Sequence, residues 1–261
     1  MRNLVTIADG RIEYSFYEVK KPAAPTIVML HEGLGALSLW RDFPRKLSKQ
    51  FNCSVFVYSR HGYGQSDFIN DEFDTQYMHQ EALNILPQIL NHFEISNPIL
   101  YGHSDGASIA LIHASSTDTQ VIGLILEAPH VFVEEISLNG LNGAKNAFEN
   151  GGLKASLAKH HHKPEMIFRC WNNIWLSPEF LTWNIVPCLS NIQCPTLLIQ
   201  GEEDAYGTLS QLDTIEKNIS GRCEKKIMPA IGHSPHRENP ELVLRSIQQF
   251  ISKNINTQNI E

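Results

Sequence analysis

The sequence predicts an α/β fold: a mostly parallel sheet covered by helices on both faces and interrupted once by an all-helical insertion. Three observations predict it. Short apolar, β-branched runs alternate with helical patterns along most of the chain, the rhythm of parallel strands buried on both sides. That rhythm breaks at Pro129 and resumes at Thr196. From about Val131 to Trp183 there are helical stretches, glycines at 140, 143, 151 and 152, and clustered aromatics, but no strand pattern.

Taken in order, Asn3–Ala8 and Ile12–Val19 flank Asp9-Gly10, a hairpin turn signal. After Pro22 and Pro25, Thr26–Leu30 reads as a strand ending in His31-Glu32-Gly33-Leu34-Gly35. A helical pattern covers Leu39–Lys49. Ser54–Tyr58 is the next strand and runs into the loop Arg60-His61-Gly62-Tyr63-Gly64-Gln65-Ser66-Asp67. Thr75–Phe93 reads as one long helix that Pro87 should kink. Pro98–Tyr101 is a strand, Ser104–Ser115 a helix and Val121–Leu126 a strand. Beyond the insertion come the strand Thr196–Gln200, a helix near Leu209–Ile219, the strand Lys225–Met228 and a last helix, Glu241–Lys253. These later strands are too few for a core of their own. Residues 1–130 and 184–261 are therefore expected to form one domain, with 131–183 inserted as a helical cap.

At 261 residues, with 42% apolar and 19% charged, the composition is that of a globular protein. A net charge of −7 argues against non-specific nucleic-acid binding and against docking on anionic lipid. No apolar run approaches the ~20 residues of a membrane span, and polar residues interrupt the N-terminal stretch. The expected partner is a small-molecule substrate and the expected location cytoplasmic. Cys53, Cys170, Cys188, Cys194 and Cys223 are odd in number and contain no C-x-x-C, so reduced, mostly buried thiols are expected and a Cys188–Cys194 bridge is not.

The chemistry centres on Tyr101-Gly102-His103-Ser104-Asp105-Gly106-Ala107, a G-x-S-x-G between an apolar strand and a helical pattern. Three fixed letters are weak evidence; the strand–turn–helix context makes them specific. Such a turn lifts the Ser104 hydroxyl above the sheet, at a helix start whose backbone N–H groups are unpaired. The bland reading is a glycine-bounded turn with Ser104 as a helix cap. A serine hydroxyl needs a base. Thr196–Gln200 runs into Gly201-Glu202-Glu203-Asp204, and the last strand is followed by Ile231-Gly232-His233-Ser234-Pro235-His236, which gives the order Ser…Asp…His. In those roles His233 takes the Ser104 proton and Asp204 holds the imidazole in the right tautomer.

With these segments the chain resembles the α/β-hydrolase family over nearly its whole length. The matching pieces are H-x-G at His31, R-x-G-Y-G-x-S-D at Arg60, G-H-S-x-G at Gly102, G-x-x-D at Gly201 and G-H at Gly232. The resemblance makes Asp204 the acid, with Glu203 as fallback. His236 is the rival base but fits the family's pattern poorly. It also implies an oxyanion hole built from the backbone N–H of Asp105 and of Gly33, with Leu34 as second choice. Glu32 stands where many members have glycine.

Glu32 and Asp105 bring two carboxylates near the reacting centre. Recognition of a cationic group is one reading; for Asp105, a helix-dipole role is preferred. The aromatics of the insertion, Trp171 and Trp175 among them, could line an acyl pocket or form the cap's own core. Tyr101 and His103 are explained by strand burial, and His160-His161-His162 is expected to be a solvated helix face rather than a metal site. No metal or cofactor is expected.

The function implied is a serine hydrolase cleaving an ester, thioester, lactone or related derivative through an acyl-enzyme. C–C bond hydrolases, enol-lactonases and cofactor-free haloperoxidases or perhydrolases share the layout. Dehalogenases usually carry Asp where this chain has Ser104. From another class, a non-catalytic ligand-binding homologue would be expected to have a defective triad.

Overall fold

A computed structural model describes residues 2–8, 10–19, 25–69, 71–116 and 120–255. Strands β1 (Asn3–Ile7) and β2 (Gly10–Tyr17) form the expected hairpin; Asp9 of its turn and Pro22 lie outside the described residues. Then come β3 (Thr26–Leu30), a 3-10 turn at Leu37–Trp40, α1 (Phe43–Phe51) and β4 (Ser54–Tyr58). The expected long helix at 75–93 is broken into α2 (Tyr77–Gln80), a π-helical turn over Glu81–Ile85, and α3 (Leu86–His92). Pro87 occupies the first turn of α3, where its missing N–H and its ring displace the regular bonding of the preceding turn.

Next are β5 (Ile99–His103), α4 (Asp105–Ala114) and β6 (Gly123–Glu127). Between β6 and β7 come α5 (Glu135–Asn150), α6 (Leu153–Leu157), α7 (Pro164–Trp175) and two 3-10 turns (Phe180–Thr182 and Val186–Asn191), with an isolated bridge between Phe132 and Asn184. The chain finishes with β7 (Thr196–Gly201), α8 (Ser210–Asn218), β8 (Cys223–Met228), the short α9 (Pro235–Glu238) and α10 (Pro240–Asn254).

The eight strands run in the order β1-β2-β4-β3-β5-β6-β7-β8. β1 and β2 pair antiparallel, as do β2 and β4; every later pair is parallel. Every residue of β4, β5, β6 and β7 is buried, because helices cover both faces. Alternate residues feed two cores: Val28, Phe56, Leu100 and Leu124 on one face, Ile27, Val55, Ile99 and Ile125 on the other. From β3 the chain first goes outward to β4 and then returns to place β5 on the other side of β3. At such a switch the loops after neighbouring strands diverge and leave a crevice at their carboxyl ends. The loops after β3 and β5, with Gly33 and Ser104, open there.

The five cysteines are unbridged; Cys53 and Cys170 are buried and the other three half-buried. Among the described residues, no helix is long and apolar enough to cross a membrane.

Candidate active site

Ser104 sits between β5 and α4 at φ 53°, ψ −119°, a left-handed region that costs a residue with a Cβ about 1–3 kcal/mol. The flanking glycines make the turn feasible. A Cβ on Gly102 would run into the Gly106 carbonyl, and one on Gly106 into the Leu30 carbonyl of β3. Ser104 N–H is satisfied by the Glu127 carbonyl at 2.9 Å, which pins the turn to the end of β6.

His233 Nδ1 contacts both Asp204 oxygens, at 2.8 and 2.9 Å. A carboxylate accepts, so Nδ1 carries the hydrogen, and in the neutral ring Nε2 is the nitrogen able to take a proton. Burial alone would raise the Asp204 carboxyl. The His233 hydrogen bond and charge, with the Tyr206 N–H at 2.8 Å, hold it below its ordinary value. Glu203 is exposed, as expected for a neighbour of the acid. His236 points elsewhere: it is buried, 2.6 Å from Glu127, and packs on Trp40 and Phe43. Glu127 also accepts from Tyr101 at 2.7 Å. His103, Glu127 and His236 lie close enough together to suggest metal ligands. The 2.6 Å His236–Glu127 separation is instead that of a shared proton, shorter than two ligands about 2 Å from one zinc would stand.

Ser104 and His233 share a cavity of about 210 Å³ with Gly33, Leu34, Trp171 and Trp175. The expected oxyanion and pocket residues are therefore brought together. Trp171 packs its indole Nε1 against Gly33, and that N–H is buried without a partner. Asp105 also borders the cavity, but its carboxylate is 2% exposed and already engaged by the Tyr77 hydroxyl at 2.7 Å and by Arg60 at 3.9 Å. Its carboxylate is thus paired within the fold rather than turned free into the cavity. Burial raises this carboxyl above its ordinary value; Arg60 and Tyr77 oppose that rise. Trp175 donates to the Tyr77 hydroxyl at 2.9 Å, which joins α7 to α2 and α4.

Several contributors carried no motif of their own. The Glu32 carbonyl receives His31 Nδ1–H at 2.7 Å, Arg60 Nη2–H at 3.0 Å and Gly35 N–H at 3.0 Å. His130 lines the cavity with Nδ1 unpartnered, and burial followed by the nearby His233 pushes it down to about 3, so it stays neutral. Arg60 lay within a quoted motif but had no assigned role, and nothing local marks His130. Two readings need correction. His160-His161-His162 is no solvated helix face: it follows α6, and His161 is buried. His161 accepts from Gly64 N–H at 3.0 Å and contacts the Leu34 carbonyl at 3.1 Å. His103 is not merely a buried strand residue, because its Nε2 lies 2.7 Å from the His233 carbonyl.

The sequence profile of the "Alpha/beta hydrolase family" matches residues 27–246. The chain belongs to that family. Over 268 residues this hydrolase is 23% identical to a Haemophilus influenzae protein provisionally called an esterase/lipase, covering 95% of this chain and 91% of the relative. It is also 23% identical, over 263 residues, to a 2-succinyl-6-hydroxy-2,4-cyclohexadiene-1-carboxylate synthase of Shigella sonnei, covering 88% and 95% of the two chains. Among solved structures, a proline iminopeptidase of Mycobacterium smegmatis superposes with a TM-score of 0.78 at 14% identity, covering 97% and 98%. At that identity the likeness speaks for the fold.

Proposed function

We propose that this hydrolase cleaves a small carboxylic ester through an acyl-enzyme on Ser104. The observation that carries the reading is the two-oxygen grip of Asp204 on His233, in a histidine that shares one cavity with a serine on a strained turn. Ser104 Oγ attacks the ester carbonyl carbon as His233 Nε2 takes its proton. The tetrahedral adduct collapses, the C–O bond breaks, and His233 returns the proton to the leaving alkoxide. Water then repeats the sequence on the acyl-enzyme and releases the acid.

Two backbone donors would hold the oxyanion. Asp105 is the first residue of α4, where helical N–H groups have no intrahelical partner. The Glu32–Gly33 peptide is trans and planar; with its carbonyl held by three donors, the Gly33 N–H points the opposite way. Losing one such donor costs ~3–4 kcal/mol of transition-state stabilisation. The helical segment 131–183 acts as the cap, with Trp171 and Trp175 as its pocket-facing residues.

Cavity size and charge bear on the substrate. About 210 Å³ is below the ~300–1,000 Å³ of sites for drug-sized ligands, which favours short acyl groups. Among the described residues no Lys or Arg lines it, and Glu32 does. A substrate carrying the succinyl and carboxylate groups named for the Shigella relative would bring anions that this pocket does not match. Neutral esters, or esters with a cationic group near Glu32, fit better.

A fluorophosphonate probe and a panel of p-nitrophenyl esters of increasing chain length test the proposal. Stoichiometric labelling lost in Ser104→Ala, with activity highest for the shortest acyl groups, is expected. Equal labelling of Ser104→Ala would overturn it.

A further inference from the structure

Beneath the site lies a buried group that the reaction as written leaves unused. His103 is fully buried, one residue before Ser104, with its ring centroid 5.2 Å from that of His233. Its Nε2 is 2.7 Å from the His233 carbonyl; a carbonyl only accepts, so Nε2 carries a hydrogen. Among the described residues its Nδ1 has no hydrogen-bond partner, but it stands 3.5 Å from Glu32 Oε2. The Glu32 carboxylate in turn folds over Gly35, where a Cβ would collide with it. A neutral His103 with its hydrogen on Nε2 would turn a lone pair toward that carboxylate. A second hydrogen turns the contact into an ion pair.

We propose that His103 is a positioning residue: as an imidazolium it ties Glu32, in the loop carrying Gly33, to the backbone of His233, so that one ring sets oxyanion donor and base against each other. The inference rests on the esterase reading above and deepens it. The two loops follow β3 and β8, and β5 lies against β3, so its last residue is well placed to span them. Burial disfavours the charge on His103, but Glu32 and then Glu127 raise it above the ordinary histidine value. Burial likewise opposes the Glu32 charge, yet His103, with His31 and His236, drives this carboxyl far below its usual range. The charged and titratable groups facing His103 are thus Glu32 after β3, Glu127 on β6, His130 after β6, and His233 and His236 after β8. Glu32 thus has its counter-charge inside the G-H-S-D-G turn.

Glu32→Gln and Glu32→Asp test this. In the wild-type protein at about pH 7.5, above the ordinary histidine value, imidazole 15N spectra should show both His103 nitrogens protonated, and only one in Glu32→Gln. On p-nitrophenyl acetate, Glu32→Gln should lose roughly 10–100-fold in kcat with KM within about twofold, the size expected for slight misplacement of reacting groups. Its thermal midpoint should stay within a few degrees of wild type. Glu32→Asp keeps the charge and should recover part of the lost kcat. A singly protonated wild-type His103, an unchanged kcat in Glu32→Gln, or no recovery in Glu32→Asp each overturns the proposal. A wild-type protein inert to fluorophosphonate fails the esterase reading itself. A doubly protonated His103 in that inert protein would overturn only the catalytic purpose of the pair.

Discussion

The Arg60 side chain is 4% exposed and serves two elements at once, donating to the Glu32 carbonyl and facing the Asp105 carboxylate. Its guanidinium also stacks 4.6 Å from the centre of the Tyr63 ring. Replacing it with methionine leaves Asp105 buried with Tyr77 alone, and stranding one partner of a buried pair costs about 3–5 kcal/mol. Arg60→Met should therefore lower the unfolding free energy measured in urea by that amount and also slow fluorophosphonate labelling, because the Glu32–Gly33 peptide loses an anchor. An unfolding free energy within about 1 kcal/mol of wild type would refute this. Asp204→Asn should retain the fold but lower kcat by roughly 10⁴, through the wrong His233 tautomer; the pH 7–8 turnover of the purified variant checks it. At this scale Ser104, Asp204 and His233 were legible because each ends a strand in a recognisable turn. Arg60, His103 and His130 were not. The first two draw their roles from partners 28 and 130 residues away, and no local pattern encodes such pairings.

At the scale of elements, the turn between β5 and α4 is the least replaceable. Gly106→Ala would push a methyl into the β3 backbone at Leu30, which cannot swing aside as a side chain can. We expect a loss of about 3 kcal/mol or more by chemical denaturation, whereas Gly143→Ala, on an open helical face with nothing within 4 Å, should be neutral or slightly stabilising. Equal effects of the two would count against the geometry of the turn. The central strands β3 to β7 were readable from apolar runs, because a strand buried on both faces has no polar side to confuse its pattern. Helix boundaries were less so: the break at Glu81–Ile85 follows from how the proline ring meets the previous turn, which the sequence marks only as a kink at Pro87.

For the whole molecule, several buried histidines make acid the weak direction. Burial, with Arg60, holds His31 well below its ordinary value; burial takes His130 down to about 3 and His161 to about 4. All three stay neutral in the fold but bind protons near pH ~6.5 once unfolded. Between those limits the unfolded chain holds more protons, so stability falls as pH drops below ~6.5, by about 1.4 kcal/mol per pH unit for each such histidine. His103 works the other way: its stabilisation is complete below the unfolded value and fades as pH rises through its raised folded one. The three outnumber the one. Urea midpoints should drop from pH 7.5 to 5.5, and His161→Gln, which keeps one acceptor for Gly64 and one donor for Leu34, should flatten that slope. A midpoint that does not change over this interval would show the histidines to be solvated.

The same His161 contact, with others, ties down the helical segment between β6 and β7. The helical segment is fastened at its base by the Phe132–Asn184 bridge, over α7 by Trp175 on Tyr77, past α6 by His161 on Gly64 and Leu34, and along α5 by Ser137 on the Tyr206 carbonyl at 2.6 Å. On the proposed reading of this segment as the cap, ties at its base and its middle make it a fixed vault rather than a hinged lid. Turnover should then respond to the girth of the acyl chain far more than to the viscosity of the solvent.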